Sequence, residues 1–274
     1  MRQTLDQLSD RIFANLVLNY GASKNGKTQS IATLAKLDLL PIWDFNFDGD
    51  DGPVPLIRSL KKILGTSIQN DDLVIFSYNA KSGQRIGSGL YTAHTSGKEM
   101  ALDFFNDFNG LYDYVDTNTG KWKCEKTKDG LRLPKVIAID SWTGLQEILL
   151  DFVLANVGKE LGQAGTDSRD FYGKQMGKIK EIVSSAGGLP CLTIFNAHET
   201  LNQNDVTSEI RIDPSVTGKL AQTISKNFGV VLYSTTNGTK FIWQTRPRQY
   251  IKTAGTRAHE DLPIEVDQDY SKVL

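Results

Sequence analysis

A mostly parallel α/β sheet wrapped by helices is the fold this sequence predicts, and three observations predict it. Short, continuous apolar runs such as "KVIAID" and "PCLTIFN" recur along the chain. Runs of that kind fit strands covered on both faces, as in a parallel sheet. Helical patterns fall between them, so that strand and helix alternate through most of the length. The third observation is "NYGASKNGKTQS" at residues 19–30, a glycine-rich bend between an apolar stretch and a helical one.

Taken in order, the first strand is expected at 13–19, "FANLVLN", and the bend then leads into a helix at 27–36. A strand at 39–45 and a helix at 54–64 follow, then a strand at 73–78. Residues 79–135 read as an insertion between core strands, with a helix near 97–109 and a polar hairpin or loop in "YVDTNTGKWKCEKTKDG". The core resumes with a strand at 136–140, helices at 143–157 and 170–186, and a strand at 191–196. The polar stretch 199–215, "ETLNQNDVTSEIRIDPS", is expected as a long loop, and loops of that length in compact domains are usually functional or mobile. A helix at 216–226 precedes the last two strands, 229–235 and 240–245. Those two read as a hairpin turning at Asn237-Gly238, so the sheet is expected to end antiparallel. The organisation expected is one domain over residues 1–274. No internal repeat or low-complexity tract interrupts it.

Composition bounds the function. The 274 residues are 39% hydrophobic and 23% charged, ordinary for a soluble globular chain. No apolar run is long enough to span a bilayer, and "MRQTLDQLSDRIF" lacks a signal-peptide core. Two cysteines, Cys124 and Cys191, cannot form a disulfide framework, so a cytoplasmic protein is expected. No His/Cys cluster suggests zinc. A net charge of -1 and a pI near 6.3 give no global electrostatic case for nucleic acid. Any such binding has to come from local basic loops.

The bend carries chemistry. Gly21, four residues, Gly26, Lys27 and Thr28 have the P-loop spacing, in strand–turn–helix context. Its glycines let successive backbone N–H groups turn inward around a β-phosphate, and the helix start adds its dipole. Lys27 is expected to reach the β- and γ-phosphates, and the Thr28 hydroxyl to coordinate Mg²⁺. The nucleotide-holding set is therefore Gly21, Ala22, Ser23, Lys24, Asn25, Gly26, Lys27, Thr28 and Gln29, with ATP and Mg²⁺ as the expected cofactors.

A P-loop needs a second acid for its metal. In "KVIAIDSW" an apolar strand ends in Asp140, whose carboxylate would face the P-loop edge of the sheet. Its rival use, capping the following helix, is met equally well by Ser141. Hydrolysis also needs a group that orients or activates water. "PIWDFNFDGDD" offers Asp44 and Asp48 for this, and the residues alone do not choose between them. A further strand ends in "FNAHET", where His198 can touch a γ-phosphate and report it to the loop that follows.

These features together resemble the RecA-type branch of P-loop ATPases, and more narrowly the phage-encoded RecA-like ATPases grouped with single-strand-annealing recombinases. The resemblance rests on "GASKNGKT", "PIWDFNFDGDDGP", "VIAIDSW", "IFNAHE" with "TGKLAQTISKNFGVVLY", and the tail "TRPRQYIKTAGTRAHEDLP", in that order, from about residue 13 to 265. It implies a RecA-like fold and a homo-oligomeric ring or filament acting on single-stranded DNA in recombination, repair or replication, in the host cytoplasm. A single-stranded-DNA-binding protein is a further expected partner, and a membrane is not. It also implies a glutamate in an Asp-x-Glu element as the water-activating group. The matching triplet here is Asp44-Phe45-Asn46, and asparagine cannot accept that proton. The γ-phosphate sensor maps to His198 and the DNA loop to 199–215, with Arg211 and Lys219 as phosphate contacts. Basic residues supplied by a neighbouring subunit map to Lys252 and Arg257. Two other functions stay in view. A nucleotide-dependent helicase loader or assembly switch would not bind naked DNA, and a kinase would need an arginine-rich lid that the sequence lacks.

Overall fold

The computed structural model describes residues 15–49, 51–78, 90–91, 97–157, 168–203, 208–218, 220–256 and 262–274. The chain starts with β1 (Leu16–Gly21), turns through the glycine bend, and enters α1 (Lys27–Ile31), which tightens into a 3₁₀ helix at Ala32–Leu37. Next come β2 (Ile42–Asn46), α2 (Val54–Leu64), β3 (Leu73–Ser77), the short β4 (Leu90–Tyr91), α3 (Gly97–Gly110), β5 (Val136–Asp140), α4 (Trp142–Val157) and α5 (Ser168–Ala186). The second half holds β6 (Leu192–Ala197), β7 (Glu199–Gln203), β8 (Ile210–Pro214), α6 (Leu220–Thr223), β9 (Val230–Asn237), β10 (Lys240–Gln244), β11 (Gly255–Thr256) and β12 (Glu265–Asp267).

Among the described residues ten strands make one sheet, in the order β12-β10-β9-β1-β6-β5-β2-β3-β4, with β11 paired to β9. From β9 to β4 every pairing is parallel, while the pairings β10–β9, β11–β9 and β12–β10 are antiparallel. This is the expected α/β architecture with its antiparallel C-terminal hairpin. Side chains alternate along each strand, so successive residues serve opposite faces. On β1, Leu18 and Tyr20 join an aromatic-rich core with Phe45, Phe104, Phe108, Trp142 and Phe195. Val17 joins a second core with Ile31, Leu34, Leu56 and Leu60 from the P-loop side.

The second face changes character toward the carboxyl edge of the parallel strands. Asn19, Asn196, Asp140 and Asn46 lie in one lateral register across β1, β6, β5 and β2. All four are buried. Buried polar side chains cost stability unless partnered, and a row of them at one sheet edge marks the side on which ligands of open α/β sheets bind.

Two departures from expectation matter for function. The polar stretch 199–215 contains a β-hairpin: β7 and β8 pair antiparallel from Glu199↔Pro214 to Gln203↔Ile210, as a separate two-stranded sheet. Its alternation of polar and apolar residues is short, which is why it reads as loop. The expected helix at 216–226 shrinks to α6 and a 3₁₀ turn at Ile224–Asn227.

The tail also does more than the sequence suggests. Tyr270 is fully buried against Trp243, with ring centroids 4.6 Å apart, and its backbone N–H donates to Thr33 Oγ1 at 2.8 Å. The Gln268 amide donates to the Asn25 carbonyl at 2.8 Å and to the Ile242 carbonyl at 3.1 Å. Lys36 and Asp269 pair at 2.5 Å. Residues 268–270 thus bind both the bend and the helix behind it.

Candidate functional site

The bend between β1 and α1 is held open by close packing. A Cβ at Gly21 would sit 2.2 Å from the Ser234 carbonyl oxygen on β9, so glycine is required for the strand to exit there. Gly26 has φ +78°, and a Cβ on it would meet Gln268 Oε1 at 2.6 Å and the Phe241 ring at 2.9 Å. Asn25 donates to the Ser234 carbonyl at 3.2 Å. Ser23, Lys24 and Gln29 are exposed, while Ala22, Asn25, Gly26 and Thr28 are half-buried.

Lys27 is buried, and its Nζ donates to the carbonyls of Gly21 at 2.8 Å and Ala22 at 2.7 Å. Burial lowers its pKa, and the carboxylates of Asp140, Asp48 and Glu199 oppose that fall. The side chain is thus folded into the bend, with acids around it.

Asp140 ends β5 opposite Asn46 on β2 and Asn196 on β6. Burial first, and then nearby Asp48, raise its carboxyl pKa to about 6 against the opposing pull of Thr28, Asn196 and Lys27. Ser141 takes over the capping of α4: its Oγ accepts the Gly144 N–H at 3.2 Å and donates to Asp48. Asp140 is therefore released from capping and faces Thr28 and Asp48.

Asn46 explains the position of Asp48. Its amide donates to the Gly49 carbonyl at 2.7 Å and to Ser77 Oγ at 3.3 Å, and its Oδ1 accepts the Asp48 N–H at 3.2 Å. The asparagine is the scaffold of the turn that presents Asp48, which is exposed and belongs to the charge neighbourhood of Lys27, Asp140 and His198. Asp44 lies one alternation further inside β2, paired with Ala138. It is buried, neither carboxylate oxygen has a partner among the described residues, and its pKa is raised well above the ordinary value, first by burial and then by Asp140 and Asp48. The structure separates the two candidate acids: Asp48 stands at the edge of the site and Asp44 beneath it.

His198 follows β6, the strand between β1 and β5. Burial and Lys27 both lower its pKa. Its backbone N–H donates to Thr143 Oγ1 at 3.2 Å, and its carbonyl accepts the Ser215 N–H at 2.7 Å. Glu199, next along, was not singled out from the sequence. It is in the charge neighbourhood of Lys27 and His198 and raises the Tyr233 pKa as a hydrogen-bond partner. A carboxylate on a polar strand carries no distinguishing sequence signal.

Of the remaining candidates, Arg211 and Lys252 are not gathered at this edge. Arg211 on β8 reaches toward the fully buried Asp213, with Nη2 3.5 Å from Oδ1. Lys252 is exposed beside a cleft of about 480 Å³ that Glu209 and Tyr250 also line. Lys219 and Arg257 lie outside the described residues.

The donor set suits a hard divalent cation. Thr28 offers a hydroxyl and Asp140 a carboxylate, and Asp48 brings a second negative charge close to the first. Such oxygen-only sites favour Mg²⁺, which uses one or two carboxylates together with substrate phosphates. Among the described residues no group of three His, Cys, Asp or Glu could hold a metal by itself, so any ion here would need phosphate oxygens. No described helix is long and apolar enough to cross a membrane.

No protein-family profile matches the chain, and no curated protein does. Among solved structures it is similar to the RadB recombinase, at 13% identity and a TM-score of 0.42, over 87% of this chain and 83% of that one. It is also similar to an ATPase from the type III secretion system of pathogenic bacteria, at 12% identity and a TM-score of 0.43, over 80% of this chain and about half (52%) of that one. The site is described by its own geometry.

Proposed function

We propose that the chain is a Mg²⁺-dependent, RecA-like ATPase that acts on single-stranded DNA as a homo-oligomer in phage recombination, repair or replication, by annealing or strand exchange. One observation carries the reading: Lys27 and Thr28 of the bend meet Asp140 and Asp48 at one sheet edge, with His198 ending the strand between them.

In this reading the backbone N–H groups of residues 22–28 hold the β-phosphate, and Lys27 exchanges its two carbonyl acceptors for phosphate oxygens. Thr28 and Asp140 would hold Mg²⁺, which when bound neutralises charge on the β- and γ-oxygens. Asp48, presented at the edge of the site by the Asn46 turn, orients the attacking water. His198 contacts the γ-phosphate, and the β7–β8 hairpin behind it carries the response to DNA through Arg211 and Lys219. Lys252 and Arg257 act across the subunit interface on a neighbour's phosphate.

A second reading is favoured by the hairpin's charge. Its described residues at least partly exposed include Glu199 and Glu209 against a single arginine, which is turned to the buried Asp213. Such a surface suits a protein partner better than a phosphate backbone, as in a helicase loader or assembly switch. The test is titration of single-stranded DNA with and without ATP and Mg²⁺ across a salt series, beside ATP turnover of wild type and Lys27→Ala. The DNA reading expects ATP-dependent binding with a negative log–log salt slope. ATP turnover without DNA binding at any salt selects the loader, and wild-type turnover in Lys27→Ala overturns the ATPase.

A further inference from the structure

The β7–β8 hairpin leaves the sheet directly after His198 and returns at Ser215, and both of its ends are fastened to the same helix. That helix, α4, begins two residues beyond Asp140. Thr143 and Gln146 stand three positions apart on it, on one face. At the entry, the His198 N–H donates to Thr143 Oγ1 at 3.2 Å. At the exit, Gln146 Nε2 donates to the Ser215 carbonyl at 2.8 Å, while its Oε1 accepts the Thr217 N–H at 2.6 Å and the Thr217 hydroxyl at 2.8 Å. The two ends are joined to each other by Ser215 N–H donating to the His198 carbonyl at 2.7 Å.

One amide therefore satisfies three groups of the returning segment from both sides. Gln146 is itself fixed: it is buried, and its carbonyl accepts Gln175 Nε2 at 2.6 Å from α5. A cleft of about 530 Å³ opens beside it, lined among others by Thr200, Asn202 and Ser215 of the hairpin. The hairpin thus has space on one side, while Thr143 anchors its entry and Gln146 its returning end on the other. The hairpin is also tied to the core by the Ile212 N–H, which donates to the Tyr250 carbonyl at 2.9 Å, and by Glu199, a hydrogen-bond partner of Tyr233.

We propose that Gln146 is the positioning residue that couples the Asp140–Ser141 turn to the β7–β8 hairpin, so that a shift of α4 at the nucleotide site moves the hairpin's returning strand. This rests on the reading of the bend as a nucleotide site and adds the route by which that site reaches the hairpin. Gln146 faces no phosphate and acts through Ser215 and Thr217. A hydrogen-bonded pair of anchors moves as one body with the helix, whereas a hairpin held only at His198 would pivot on its entry.

The experiment is hydrogen exchange of peptides covering 199–203 and 210–214, with and without a slowly hydrolysed ATP analogue and Mg²⁺. It is run on wild type, Gln146→Leu and Thr217→Val, with the nucleotide Kd measured separately for each. Expected are a nucleotide-dependent change in wild-type hairpin exchange, loss of that change in Gln146→Leu, an intermediate effect in Thr217→Val, and nucleotide Kd values within a few-fold of one another. If Gln146→Leu does not fold, the Thr217→Val result decides. A hairpin that responds to nucleotide normally in the variants, or fails to respond in a wild type that binds nucleotide, overturns the coupling. Absence of nucleotide binding to wild type overturns the reading of the site itself.

Discussion

Replacing Asp44 with asparagine should make the protein more stable at neutral pH. The carboxyl is buried, both oxygens lack partners among the described residues, and burial with two nearby acids raises its pKa well above the ordinary 3.8. The folded state therefore holds a proton that the unfolded chain releases. Stability associated with that proton is fully present below pH 3.8 and is lost as pH rises toward the folded-state value. Each pH unit over which only the unfolded chain has ionised costs about 1.4 kcal/mol. For a chain of this size that is on the order of 3–5 °C in Tm per unit. Asparagine keeps the shape, leaves a comparable unpaired group, and does not titrate. The Tm of Asp44→Asn minus that of wild type should then be near zero at about pH 4 and grow with pH, at roughly that slope until the folded-state carboxyl ionises and level beyond it. Melting curves from pH 4 to 7.5 in metal-free buffer measure it, and the Asp140 carboxyl, present in both proteins, is compared at each pH. Curves that stay parallel would refute the argument, because they would mean that Asp44 ionises alike in folded and unfolded chains. The same variant should keep its ATP turnover, since Asp44 lies beneath the site.

Asp48→Asn should instead lose about 10²–10⁴-fold in hydrolysis with nucleotide binding preserved, and unchanged single-turnover rates would move the water-orienting role elsewhere. Gly26→Ala and Gly238→Ala make a matched pair. Both have positive φ, costing about 1–2 kcal/mol for alanine, but Gly238 faces open space while Gly26 faces Gln268 and Phe241. Gly26→Ala should melt lower than Gly238→Ala and bind nucleotide more weakly, and equal melting would show that the tail gives way freely. If Arg257 acts across the interface, Arg257→Ala mixed with Lys27→Ala should recover turnover that neither has alone. Proven subunit exchange with no recovery would assign Arg257 to a different role.

The alternation of strands and helices was legible because buried parallel strands must be apolar on both faces, and β5 and α2 fall at 136–140 and 54–64, where their patterns put them. The bend was legible because close backbone approach demands glycine at fixed spacing. The different placements of Asp44 and Asp48 were not, since they depend on where β2 ends and on the turn that Asn46 builds. The β7–β8 hairpin was missed because its strands are polar and short, and what holds them is Gln146, a residue type with no positional signature. Tyr270 reads as an isolated aromatic near the end of the sequence; only the three-dimensional pairing with Trp243 and Thr33 gives it a place.

The contacts of that tail separate residues more than 230 positions apart in the chain, from Lys36 to Asp269 and from Asn25 to Gln268. During synthesis the bend between β1 and α1 emerges early, yet the groups that pack on its back arrive only when residues 268–270 leave the ribosome. Loop closure over such a span is slow compared with local helix formation. The back of the bend is therefore completed only after residues 268–270 have been made, long after the bend itself. A substitution at Gln268 or Asp269 would then act on the bend and the helix behind it from more than 230 positions away, as a remote error in a segment that carries none of the motif.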